Sequence, residues 1–252
     1  LGMKTDVRED LTNWILAAQL AEDHEIDRDS LQYGGWDLEA TSGAKGDQLK
    51  GTNVSITSFA LEALRHAPMD NEVDQARLRA SLWLSRCQNE DGGFVFHVWR
   101  PHPGNKAMWS NESQSQAHSY ATPTCDGLRS LSYLNMEDVG APMEKSVAWL
   151  EKHPGVKTVA GFPEQAQGVG WEEGLRFYYY FTQAKALPLL PQAEAQRRAD
   201  AIVKLLLAQQ RADGSFQNEQ PRMFEDDPIL ATSLALVALA EASRFLNNVA
   251  KQ

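Results

Sequence analysis

The sequence predicts an all-α protein built from stacked helical hairpins. Two recurring segments and one periodicity carry that prediction. First, Leu84-x3-Gln88-x3-Gly92-Gly93-Phe94 has the spacing of Leu206-x3-Gln210-x3-Gly214-Ser215-Phe216. Second, Thr57-Ser58-Phe59-Ala60-Leu61-Glu62-Ala63-Leu64, the segment from Thr124 to Leu131 and the segment from Thr232 to Leu239 share Thr-x-x-small-Leu-x-small-Leu. Third, apolar residues fall at helical and not strand spacing: Ile202, Leu205 and Leu206 at i, i+3, i+4, and Met143, Val147 and Leu150 at i, i+4, i+7.

In chain order the first unit runs over about 5–66, with Ile15-x3-Gln19 and then, after a longer insert, Gly34-Gly35-Trp36. The second covers about 73–135 and the fourth about 194–245. The third, about 142–187, is degenerate: Trp149-Leu150 is followed by Gly161-Phe162 without the Gln, and Ala186-Leu187 closes its second segment. Aligned positions 57, 124, 180 and 232 lie 67, 56 and 52 residues apart, a length that holds two helices and two loops. The first helix of each unit is the more charged, as in Asp74 to Arg86 and Glu194 to Lys204, and the second is rich in Ala, Ser, Thr and Leu. Charged helices are therefore expected outside and small-residue helices inside, where short side chains let helix axes approach. Thr122-Pro123 and Asp227-Pro228 read as starts of second helices, because a capping side chain before Pro suits the first turn. In the turn, Gly permits the bend, the aromatic folds back on the hairpin, and the Gln amide is expected to bridge loop backbone to the next unit.

Composition sets the outer bounds. The 252 residues, 42% hydrophobic and 23% charged with seven Trp, suffice to fold around a core as one domain. A formal charge of −10 repels phosphate backbones, so nucleic acid is not an expected partner. Cys87 and Cys125 cannot make a disulfide framework and match no paired-thiol zinc motif, which fits a cytoplasm-like setting. Leu1-Gly2-Met3-Lys4 opens without a signal-peptide apolar stretch, and a native N-terminal segment missing from this chain is compatible with that start. No run of eighteen apolar residues occurs, so no transmembrane segment is expected.

The Gln-to-Gly-x-Trp/Phe repeats resemble the QW motifs of the squalene cyclase and protein prenyltransferase β-subunit superfamily. That resemblance implies an α/α toroid around an apolar central cavity, here an open or shortened ring of about four hairpins. It also implies an isoprenoid or other apolar ligand, and a terpenoid cyclase as the activity. Such cyclases protonate an alkene with an Asp-x-Asp-Asp acid at the start of an inner helix. The nearest match is Phe224-Glu225-Asp226-Asp227-Pro228, which keeps the final Asp pair and makes Asp226 and Asp227 candidate acids; alternatively Asp227 caps the helix and Asp226 sits at its positive end.

A further candidate comes from comparing the repeats. Where the other copies carry Phe59, Thr182 and Leu234, the second carries Asp126, and an ionisable group on an inner helix must be paired or face a wet cavity. His118 and Cys125 lie near it in sequence and are candidates for the same wall. The stretch from Gly170 to Phe181 is the most aromatic in the chain, and Trp171, Glu173 and Tyr178 are its candidate ligand-facing residues. The zinc site of the prenyltransferases does not carry over: Cys125-Asp126 has the wrong order, and the six His show no His-x3-His pair. No metal and no cofactor is therefore expected.

Two other classes stay open beside the isoprenoid reading. One is a non-catalytic binding or scaffold module using its concave face. The other is a carbohydrate lyase or glycosidase, for which Trp99, Trp109 and His97 in the loop 94–118 offer stacking platforms. A thioester domain is excluded by the absence of Cys-Gly-Glu-Gln, and neither a Gly-rich phosphate loop nor a serine nucleophile elbow occurs.

Overall fold

In the computed structural model, which describes residues 5–38, 51–67, 70–98, 105–108, 116–166 and 169–251, the chain is all-helical. The helices are α1 (Thr5–Ala17), α2 (Val54–Leu64), α3 (Asn71–Cys87), α4 (Ala121–Tyr133), α5 (Gly140–Lys152), the single turn α6 (Trp171–Gly174), α7 (Arg176–Ala186), α8 (Gln192–Gln209) and α9 (Pro228–Val249). Among the described residues the extended pairing is limited to two isolated bridges, Gln19 with Trp36 and Gln88 with Phe94.

The helices sort into two series. One consists of α2, α4, α7 and α9, which pack on each other in that order. The other consists of α1, α3, α5 and α8: α1 packs on α2, α3 on α2 and α4, α5 on α4, and α8 on α7 and α9. Small residues set the inner spacing: the buried stripe of α9 is Ala231, Ala235, Ala238 and Ala242, at i, i+4, i+7 and i+11. Two apolar clusters result, one around Trp36, Leu61, Trp83 and Phe94, the other around Trp149, Phe177, Tyr180, Ile202 and Phe216.

The two recurring sequence segments are hydrogen-bonded to each other. The backbone N–H of the turn aromatic donates to the Thr hydroxyl that opens the following helix: Trp36 to Thr57 (3.2 Å), Phe94 to Thr124 (3.0 Å) and Phe216 to Thr232 (2.9 Å). The turn also locks to the next hairpin. The Gln19 amide donates to Gly34 O (2.9 Å) within its unit and to Ala76 O (2.8 Å) on α3. Gln88 repeats this with Gly92 O (3.1 Å) and with Pro142 O (2.8 Å) on α5. Gly34 and Gly92 have φ of +94° and +90°, and a Cβ there would lie 2.0 and 2.4 Å from the Arg79 and Lys145 carbonyl oxygens. Only glycine satisfies both the backbone handedness and the approach.

Helix starts follow the sequence signals unevenly. Asp227 caps α9 through its bond from Ile229 N, with Pro228 in the first turn. α4 instead begins at Ala121, which puts Thr122 and Pro123 inside the first turn; Tyr120 holds the cap position without a side-chain bond. The second helix of the third unit is broken at Leu175 into α6 and α7.

Candidate functional site

The inner helices α2, α4 and α7 do not enclose a plain apolar hollow where Asp126 sits. They close on a chain of ionised and hydroxyl side chains. The fully buried Asp126 accepts at one oxygen from Arg129 Nη1 (2.9 Å) and Thr182 Oγ1, and at the other from Ser55 Oγ (2.8 Å) and the Tyr178 hydroxyl (2.7 Å). Arg129, also fully buried, reaches Glu62 (2.6 Å), which in turn holds Lys185. Three helices are thereby tied by one network in which every charge has a counter-charge, the condition for burying such groups.

The electrostatics follow that order. Burial, the largest single influence, would lower the Arg129 guanidinium, but Asp126, Tyr133 and Glu62 together outweigh it and hold the group firmly charged. Burial would raise the Glu62 carboxyl, yet Lys185 and Arg129 together keep it below the ordinary carboxylate range. Burial, then Asp126, pushes the Tyr178 phenol well up, so it stays a donor. Each oxygen of Asp126 thus accepts two hydrogen bonds within the network.

Beside this network opens a pocket of about 260 Å³. Its walls are largely apolar, from Ile56, Phe59, Phe96, Leu175, Tyr178 and Met223, with Asn53, Ser55, Tyr120, Thr122 and Lys106 as the polar positions. Phe59 and Tyr178 both pack on Phe181, at centroid distances of 6.0 and 5.7 Å. The Lys106 ammonium lies 3.9 Å above the Phe96 ring and 5.4 Å from Trp171, and burial brings its pKa down to about 8. The buried Tyr120 hydroxyl is near Thr122 but makes no hydrogen bond of good geometry, which leaves a polar handle in the wall.

The residues expected from sequence are thus dispersed. Tyr178 lines the pocket and bonds to Asp126. Trp171 is half-buried between the cations of Lys106 and Arg222 (4.8 Å). Cys125 is buried in the apolar cluster, where burial pushes its thiol up to about 12, and it does not line the pocket. His118 is half-buried; its backbone N–H donates to Met108 O. Glu173 is half-buried and accepts at its carbonyl from Asn218 (2.7 Å). Asp226 and Asp227 are exposed at the start of α9, away from the pocket, because the chain uses Asp227 as a cap. The buried carboxylate of that acidic run is Glu225, which accepts from the backbone N–H of Phe177 (3.0 Å) and Tyr178 (2.8 Å) and so caps α7 below its break. Burial raises its carboxyl despite those bonds.

Of the stacking candidates, Trp99 and Trp109 lie outside the described residues. His97 is buried against the Thr52 carbonyl (2.6 Å). Among the described residues no group of three His, Cys, Asp or Glu side chains is placed to hold a metal ion. Sequence reasoning missed Arg129, Glu62, Glu225 and Lys106. Arg129 was readable in principle, three residues after Asp126 on one helix face; Lys106, in an irregular segment, carried no local signal.

The fold and this site define an all-helical hairpin-repeat protein with a small apolar pocket beside a buried ion network. Comparison with known proteins returned no matching family model, no matching curated protein and no matching solved structure.

Proposed function

We propose that this chain is a toroid-type hairpin-repeat protein that binds a small apolar molecule bearing one polar or anionic end, an isoprenoid being the class its QW-like repeats suggest. The observation that carries this is the apolar pocket with Lys106 on its wall. At about 260 Å³ it lies below the usual ligand-site range of about 300–1,000 Å³, which suits a short molecule or one end of a longer chain. Binding is favoured over cyclisation because the inner-helix carboxylate is engaged as an acceptor and the pair Asp226 and Asp227 stands outside the pocket.

The test is titration with farnesyl phosphate and farnesol, together with mass spectrometry of an organic extract of the purified chain. The phosphate should bind more tightly than the alcohol, Ile56→Glu should abolish both, and Lys106→Met should remove the preference for phosphate. That preference should fade as pH rises through about 8, where Lys106 loses its proton. Absence of saturable binding by either probe, with nothing apolar retained, refutes the proposal.

A further inference from the structure

The internal junctions define what a hairpin needs on each side, and the two ends of the described fold present the two halves of that contact. On the following side, the inner helix buries the positions three before and four after its repeated Thr, or the position aligned with it. These are Val54 and Leu61, Ala121 and Leu128, and Phe177 and Ala184, all at most 1% exposed. In α9 the same positions are Ile229 and Leu236, at 77% and 57%. The turn tells the same story. Gln210 makes the bond within its unit, to Gly214 O (3.0 Å), as Gln19 and Gln88 do. Gly214 has the same left-handed φ of +85°. A Cβ on it, however, would meet only the Gln210 side chain at 3.9 Å, where its counterparts meet the carbonyl of the next outer helix. The receptor is built and nothing among the described residues sits in it.

The other half lies on α1. Trp83 and Trp149, on α3 and α5, pack over the second glycine of the preceding turn, their rings 2.8 and 2.7 Å from a Cβ on Gly35 and Gly93. They are 0% and 2% exposed. Trp14 precedes Gln19 by the spacing at which Trp83 precedes Gln88, and it is 64% exposed. Leu11, in the register of the buried Ala80 and Ser146, is exposed on the same stripe.

We infer that copies of this chain associate head to tail, α1 of one copy seating Leu11 and Trp14 on the Gln210–Gly214 turn and the Ile229–Leu236 face of the next. The contact continues the junction already present twice inside the chain and is independent of the ligand reading. It is heterologous, so the copies close into a ring or grow as a fibre according to the rotation per step.

The experiment is sedimentation velocity on the full chain over a concentration series. The wild-type chain should self-associate. Trp14→Glu, which spoils the head, and Leu236→Glu, which spoils the tail, should each be monomeric with unchanged helical circular dichroism, as both positions are exposed. An equimolar mixture of the two should form a one-to-one dimer, because one intact head and one intact tail remain; a two-fold symmetric dimer through either face would not be restored in this way. Gln210→Ala supplies a milder tail variant, expected to weaken association about tenfold through loss of one buried hydrogen bond. A wild-type chain that stays monomeric overturns the inference, as does a mixture that stays monomeric. Co-sedimentation of a monomeric wild-type chain with phosphatidylcholine vesicles, lost in Leu236→Glu, would also overturn it and assign the α9 face to a lipid surface.

Discussion

Asp126 illustrates what a single residue reveals and conceals. Comparison of the repeats marks it, since a carboxylate stands where other copies carry Phe, Thr or Leu. Apart from Arg129, its partners are Ser55, Tyr178 and Thr182, 52 to 71 residues away in sequence, and no local pattern connects them. Asp126→Asn keeps the volume but leaves the buried Arg129 guanidinium with Glu62 as its remaining carboxylate, and loss of one member of a buried pair costs up to about 3–5 kcal/mol. A fall of that size in the urea unfolding free energy is expected, whereas Asp227→Asn, which keeps a capping side chain, should change it by less than about 0.5 kcal/mol. Glu62 sets a pH dependence. Its folded-state pKa lies below the unfolded value, so its contribution is complete above the ordinary carboxylate range and lost as pH falls through the lowered folded value. The urea midpoint should drop over that acid window, and Glu62→Gln should flatten the drop.

At the scale of elements, the repeated turns carry the specificity of stacking. Gly92→Ala meets both a left-handed backbone, worth about 1–2 kcal/mol, and an overpacked contact with the Lys145 carbonyl, worth about 1–3 kcal/mol more. Gly214→Ala meets only the first, so in the monomer it should lower stability by about 1–2 kcal/mol. Thermal unfolding of the two variants side by side checks the difference. These turns were legible because Gln, Gly and the aromatic are each forced by geometry, and the α9 start because Asp-Pro caps in the usual way. The break between α6 and α7 was not legible. It is stabilised by Glu225, whose bonds to Phe177 and Tyr178 come from a segment 47 and 48 residues further along the chain. Of the five consecutive aromatics from Phe177 to Phe181, Tyr178 lines the pocket, while Phe177, Tyr179, Tyr180 and Phe181 are buried.

For the whole molecule, helical period and repeat spacing were enough to give an all-helical chain, because both are properties of the sequence alone. The character of the interior was not, because it depends on which side chains of α2, α4 and α7 meet. An apolar centre was expected there, and the helices meet instead through Asp126, Arg129, Glu62 and Lys185, with the apolar pocket displaced to one side. The third unit departs from the others in one more respect. Lacking the Gln, it contacts α8 through Arg198, which donates from that helix to the Leu150 and His153 carbonyls (2.6 and 3.2 Å) and pairs with Glu194. An arginine side chain therefore replaces the Gln amide lock at that seam. In arrays whose units touch only neighbours, the weakest seam sets where partial opening begins. Amide protons of α8 and α9 should accordingly exchange with deuterated solvent sooner than those of α3 and α4, and Arg198→Leu should hasten exchange in the last hairpin while leaving the second protected.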